Sequence, residues 1–116
     1  PLISNPGARF ENAVALELFR AVTNWNDAGL GPFALYYIRN KEKQEVDFLL
    51  ARHNEPFLLV ETKLSDEDPA ALRKFQRVLN VPAVQLVASG DTFKLYGEGQ
   101  QRVLVAPASK WCALLP

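Results

Sequence analysis

The chain has 116 residues, 48% apolar and 22% charged, which is enough for one domain with its own core and ordinary for a soluble globular chain. Thirteen Lys and Arg balance thirteen Asp and Glu, so nucleic-acid binding, which usually shows as a basic excess, would need a local patch or a partner. The sequence shows no run of about 18 apolar residues for a membrane span and no charged-then-apolar stretch of the kind that marks a signal peptide, and a lone Cys112 with a lone His53 excludes an internal disulfide, argues against zinc and fits an expected cytoplasmic interior.

In chain order, Asn5-Pro6-Gly7 reads as a turn. The chain opens on Pro1 without an initiator methionine, as expected of a fragment cut from a longer protein. Phe10, Val14, Leu18, Val22 and Trp25 then recur at three- and four-residue steps, predicting an amphipathic helix over 8–25. Glu11 lies one step round from this stripe and is expected to face the sheet edge. Glu17, near Arg20 and Arg9, reads as a solvated ion-pair partner. Two glycines and a proline in 26–32 close the helix.

Residues 33–38, 45–50 and 57–63 read as three strands joined by the short connectors 39–44 and 52–56, hence an antiparallel meander. Asp68-Pro69 predicts a helix start, with Asp68 as N-cap and Pro69 as the first helical residue. Leu72, Phe75 and Leu79 are its buried face, and Val81-Pro82 ends it. Residues 83–88 form a strand reached by a helical crossover, so it pairs in parallel with its predecessor. Residues 92–96 and 102–106 are expected to pair as an edge hairpin around Gly97-Glu98-Gly99, and a short helix near Trp111 covers the end. The predicted fold is α/β (α+β): helix, three antiparallel strands, helix and parallel strand in one mixed sheet with helices on its faces. No GxxxxGK[ST] loop is present, so ATP is not bound here by that route.

The chemistry concentrates on two of these strands. In Glu45-Val46-Asp47-Phe48-Leu49-Leu50 and Phe57-Leu58-Leu59-Val60-Glu61-Thr62-Lys63, acids interrupt otherwise apolar runs. Alternation puts Phe57, Leu59, Glu61 and Lys63 on one side, with Glu61 and Lys63 about 6.6 Å apart at roughly 3.3 Å per residue. If the strands are neighbours, Asp47 reaches both. Mg²⁺ takes one or two carboxylates, waters and a substrate phosphate. Asp47 and Glu61 supply the carboxylates and the carbonyl of Thr62 a third contact, while Lys63 can stabilise developing negative charge. The plain alternative is an exposed Glu-x-Lys pair worth about 0.2–1 kcal/mol, or acids that discourage edge aggregation. Two acids within apolar strands argue for cationic company, because an unpaired buried carboxylate costs several kcal/mol.

Asp47, then fourteen residues to Glu61-Thr62-Lys63, within helix–three strands–helix–strand, resembles the PD-(D/E)XK phosphodiesterase superfamily. The closest likeness is to the nuclease-like C-terminal domain found on prokaryotic AAA+ ATPases. The stretches 7–15, 37–49 and 59–65 carry it. The resemblance implies a restriction-endonuclease-like core spanning 1–116 as one nuclease-like domain attached to an ATPase. It implies Asp47 and Glu61 as ligands of Mg²⁺ or Mn²⁺, Lys63 as catalytic lysine, Glu11 as a helix-borne acid, and DNA, less often RNA, as substrate. One departure is Val46, where the superfamily commonly has proline before the aspartate; the ATPase half is also absent from this sequence.

Arg39, Lys41, Lys43, Arg52 and Arg77 are candidate phosphate contacts, with Arg73 and Lys74 more readily read as solvated. Gln76 and Gln85 are candidate supporting donors. Tyr36, Tyr37, Trp25 and Trp111 read as core, His53 as exposed and idle, Cys112 as buried and inert. A metal-dependent nuclease is the first functional reading. A non-catalytic module docking the ATPase onto nucleic acid or protein is the second, and a structural, homo-oligomerising domain the third.

Overall fold

The first helix begins earlier than its apolar stripe. The computed structural model describes residues 5–40, 45–65 and 69–116, with backbone alone for 39–40, 45–47 and 71. Asn5 is extended, and its Oδ1 accepts from the Gly7 and Ala8 amides at 2.9 and 3.2 Å. This cap lets α1 run over Pro6–Asp27. Asn5-Pro6-Gly7 is therefore a helix start, not a turn, because Pro at the first position loses only an amide that would be unpaired anyway. Val14, Leu18, Ala21 and Val22 are its buried residues.

The meander is as expected, with longer strands: β1 Phe33–Asn40, β2 Glu45–Arg52 and β3 Glu55–Lys63, antiparallel in sequence. The β2–β3 turn is His53-Asn54, both at positive φ (53° and 65°), the backbone of a two-residue hairpin loop. His53 is exposed, as expected. A register shift falls between Leu50 and Ala51. Leu50 pairs with Leu58 and Ala51 with Pro56, which leaves Phe57 as the extra residue of a bulge. The alternation that put Phe57 beside Leu59 and Glu61 is thereby broken. Phe57 joins the core on the α1 side and lies edge-on to Phe33 at 5.8 Å between centroids.

Helix α2 spans Ala70–Leu79. Pro69 occupies its cap position rather than its first turn, and Asp68 lies outside the described residues. Asn80, left-handed at φ 54°, ends it, its amide donating to the Gln76 carbonyl at 2.7 Å. Then come β4 Ala83–Val87, β5 Lys94–Tyr96, a 3-10 turn at Gly99–Gln101, β6 Val103–Pro107 and α3 Ala108–Cys112. The six described strands form one sheet in the order β1-β2-β3-β4-β6-β5. β4 pairs in parallel with β3, as predicted, and β6 inserts in parallel beside β4 with β5 antiparallel at the margin. The hairpin was foreseen but not its insertion by β6. Among the described residues no helix is long and apolar enough to cross a membrane.

Two cores flank the sheet. On one face Val14, Leu18 and Val22 of α1 meet Phe48, Leu50, Val60, Val84, Leu86 and Ala106. On the other, Leu72 of α2 meets Leu59, Ala83 and Val103. Trp25, half-buried, lies 4.9 Å from Phe33, and half-buried Trp111 packs on the α1 side, both as expected. Tyr36 and Tyr37 differ from expectation. They are 47% and 62% exposed, since β1 is a marginal strand with a neighbour on one side only.

Candidate functional site

Residues paired across strands share a face, so the register defines the site. Asp47 stands opposite Glu61, Glu61 opposite Gln85, Gln85 opposite Val105, and Val105 opposite Lys94. This row lies two residues beyond Leu59, Ala83 and Val103, the positions beneath α2, toward the carboxyl ends of the parallel strands. Open α/β sheets usually present ligands at that end.

Glu61 is 2% exposed. An apolar strand carries it inward because Leu59 before it and the paired β4, whose five residues are all buried, leave no water on that side. A carboxyl group in such a place needs donors. Gln85, fully buried, donates its Nε2–H to Glu61 Oε1 at 3.0 Å. The carboxylate can only accept here, which fixes the amide orientation. Lys63, two residues on and on the same face, is half-buried where β3 runs out toward exposed Leu64.

The predicted residues are thus brought together in part. Glu61 and Lys63 share the α2 face, and Asp47 occupies the paired register position, its side chain lying outside the described residues. Thr62 faces the α1 side, paired with Leu86. Its Oγ1 is buried without a hydrogen-bond partner among the described residues, and the role expected of Thr62 belongs to its carbonyl. Glu11 is half-buried near the start of α1, the helix that covers the opposite face. Of the expected phosphate contacts, the side chains of Arg39, Lys41 and Lys43 lie outside the described residues. Arg77 is exposed in the last turn of α2. Among the described residues, no three His, Cys, Asp or Glu side chains form a cluster suited to a metal. Those residues do offer hard oxygen, the buried Glu61 carboxylate and the backbone carbonyl of Thr62, which fits Mg²⁺ or Mn²⁺ and not a soft metal.

The sequence reading missed Lys94. Its place in the row depends on β6 entering between β4 and β5, and no local pattern announces that. Lys94 lines a hollow of about 100 Å³ with Val87, Ser89, Gly90, Thr92 and Val105. Gln76 supports the fold instead. It is fully buried, donates from Nε2 to the Arg102 carbonyl at 2.6 Å, and ties α2 to the residue that leads into β6. Across the molecule, Cys112 lies half-buried in a groove of about 340 Å³ between α1 and α3, close to Glu17 and Arg20, which form an ion pair. Burial first, then the Glu17 charge, pushes its thiol up to about 11, in keeping with an inert cysteine.

Gln85→Leu is expected to lose about 1.5–3 kcal/mol of stability, the usual worth of a hydrogen bond to a charged group. If the row binds metal, affinity for Mn²⁺ should also fall about 10- to 100-fold. Urea denaturation and Mn²⁺ titration calorimetry check the two parts.

No curated protein and no solved structure matches the chain. Residues 6–111, from the first residue of α1 to the penultimate residue of α3, match the family described as a domain of unknown function, DUF4143. The chain therefore belongs to the DUF4143 family.

Proposed function

We propose that this chain is a divalent-metal-dependent phosphodiesterase domain of the PD-(D/E)XK type, acting on nucleic acid, with DNA first, and carried in its parent protein by an AAA+ ATPase. The observation that carries the reading is the buried Glu61 carboxylate, bonded by Gln85 and two residues from Lys63 on one sheet face, with Asp47 in the register position opposite. The element order α1-β1-β2-β3-α2-β4, that of the core expected from the resemblance, supports it.

In this reading Glu61 and Asp47, with the carbonyl of Thr62, would hold Mg²⁺ or Mn²⁺. When bound, the ion supplies polarisation of the phosphodiester and acidifies water. The amide of Gln85 holds Glu61 in one orientation, so its oxygens need not reorganise as charge moves. Lys63 places a positive charge beside the phosphate oxygens that gain negative charge as water adds to phosphorus and one P–O ester bond breaks. Leu59, its apolar neighbour on the same face, and the fully buried strand β4 keep bulk water from the inner side of the carboxylate.

Plasmid nicking with Mg²⁺ or Mn²⁺, an EDTA control and Asp47→Ala tests the reading. Cleavage by the wild type that disappears with EDTA and with Asp47→Ala is the expected result. Equal cleavage by mutant and wild type sinks the assignment. A docking module without catalysis is favoured by one fact, the zero net charge. It predicts no Mg²⁺ or Mn²⁺ binding near millimolar and partner binding indifferent to Asp47→Ala.

A further inference from the structure

Among the aromatic residues of the meander Tyr36 stands apart. Phe33, Phe48 and Phe57 are buried or half-buried against the α1 side. Tyr37 belongs to that side too, since it pairs with Phe48 and meets its ring edge-on at 5.3 Å. Tyr36 instead pairs with Leu49, which packs with Ile38 against the core beneath α2. It therefore stands on the face of Glu61 and Lys63. It is 47% exposed, and among the described residues no other ring lies against it.

Its distance from the acidic row follows from the register. Tyr36, Leu49 and Leu59 are paired across three strands, and Glu61 is two residues beyond Leu59. With strands about 4.8 Å apart and about 3.3 Å per residue, Tyr36 and Glu61 are roughly 12 Å apart at Cα. At the ~3.4 Å rise of a stacked strand that is about three to four nucleotides, and fewer in an extended one. Ile38 and Leu49, both half-buried, floor the intervening surface, so the ground between Tyr36 and the acidic row is apolar.

A phenol ring with about half its surface in water offers a π-face that any base can stack on. A duplex cannot use it, because paired bases are stacked on one another inside the helix. Building on the phosphodiesterase reading, we infer that Tyr36 is a base-stacking residue and that this face takes single-stranded or locally unpaired nucleic acid. One base lies on Tyr36, and the scissile linkage sits a few nucleotides away at Glu61 and Lys63.

The test is fluorescence anisotropy in EDTA with one labelled oligonucleotide, single-stranded and as its duplex, alongside nicking and single-strand cleavage assays with Mn²⁺. The proteins are wild type, Tyr36→Ala, Tyr36→Leu (which keeps an apolar strand residue should the alanine variant unfold), Tyr36→Phe and the opposite-face control Tyr37→Ala. The wild type should bind the single strand more tightly than the duplex. Tyr36→Ala and Tyr36→Leu should weaken that binding about 5- to 150-fold, the range of one lost base stack, with Tyr36→Phe and Tyr37→Ala near wild type. Undiminished single-strand binding by Tyr36→Leu, a preference for duplex, or no binding to either form overturns the inference. Metal-dependent cleavage alongside any of these keeps the phosphodiesterase reading while removing the stacking role. Tyr36-dependent single-strand binding with no cleavage by the wild type keeps the stacking site and removes the enzyme.

Discussion

Glu61→Gln is expected to lower metal-dependent cleavage by more than about 100-fold while the domain stays folded, because losing a ligand should exceed the 10- to 100-fold typical of losing a group that only supports one. The substitution keeps the shape of a side chain that is 2% exposed and removes its charge. Gln85 can still donate to the remaining carbonyl oxygen, so the internal bond survives in neutral form. What is lost is an anionic oxygen for a hard cation. Single-turnover cleavage with Mn²⁺, set beside circular dichroism of the same preparation, reads both halves. Cleavage within a few-fold of wild type would mean that Glu61 is a structural acid satisfied by Gln85.

Phe48→Ala should be the most damaging single truncation of the core, at about 3–5 kcal/mol. Phe48 is 1% exposed, pairs with Tyr37 on one side and Val60 on the other, and faces the α1 core. A domain of this size has about 5–15 kcal/mol in total, so the variant would sit near the edge of folding. Leu95→Ala is the control. Leu95 is 66% exposed on β5, and its loss should stay within about 0.5 kcal/mol. Urea midpoints at unchanged slope separate the two; a Phe48→Ala midpoint close to wild type would contradict the placement of this ring.

Much of this architecture is legible without coordinates, for physical reasons. The α1 stripe is long and regular, and the meander follows from connectors too short for anything but neighbouring strands. The acids of β2 and β3 stand out because a charged residue in an apolar strand needs a reason to be there. Four features are hidden for equally definite reasons. Asn5 acts through a side-chain bond to the amides two and three residues on, and the letters Asn-Pro-Gly serve turns and helix starts alike. Phe57 changes sides because of one extra residue in one strand, which strict alternation cannot anticipate. Lys94 enters the acidic row only through the pairing of β4, β6 and β5, a long-range choice that local pattern does not encode, whereas Gln85 is within reach because the helical crossover already implies its parallel pairing with β3. Tyr36 and Tyr37 look like core by composition and are exposed by position, at a margin the strand order alone reveals.

The mixed pairing of the sheet also bears on how the molecule comes together in time. Hairpins β1–β2 and β2–β3 close over short loops and can zip within microseconds, which aligns position 47 with position 61 at once. Val84 and Gln85 reach β3 only after a crossover through α2, and β6 docks on β4 after a long connection of its own, both over longer loops than the hairpins close. The donor that steadies the Glu61 carboxylate is therefore a late arrival, and partly folded chains would hold the acid before they hold its partner.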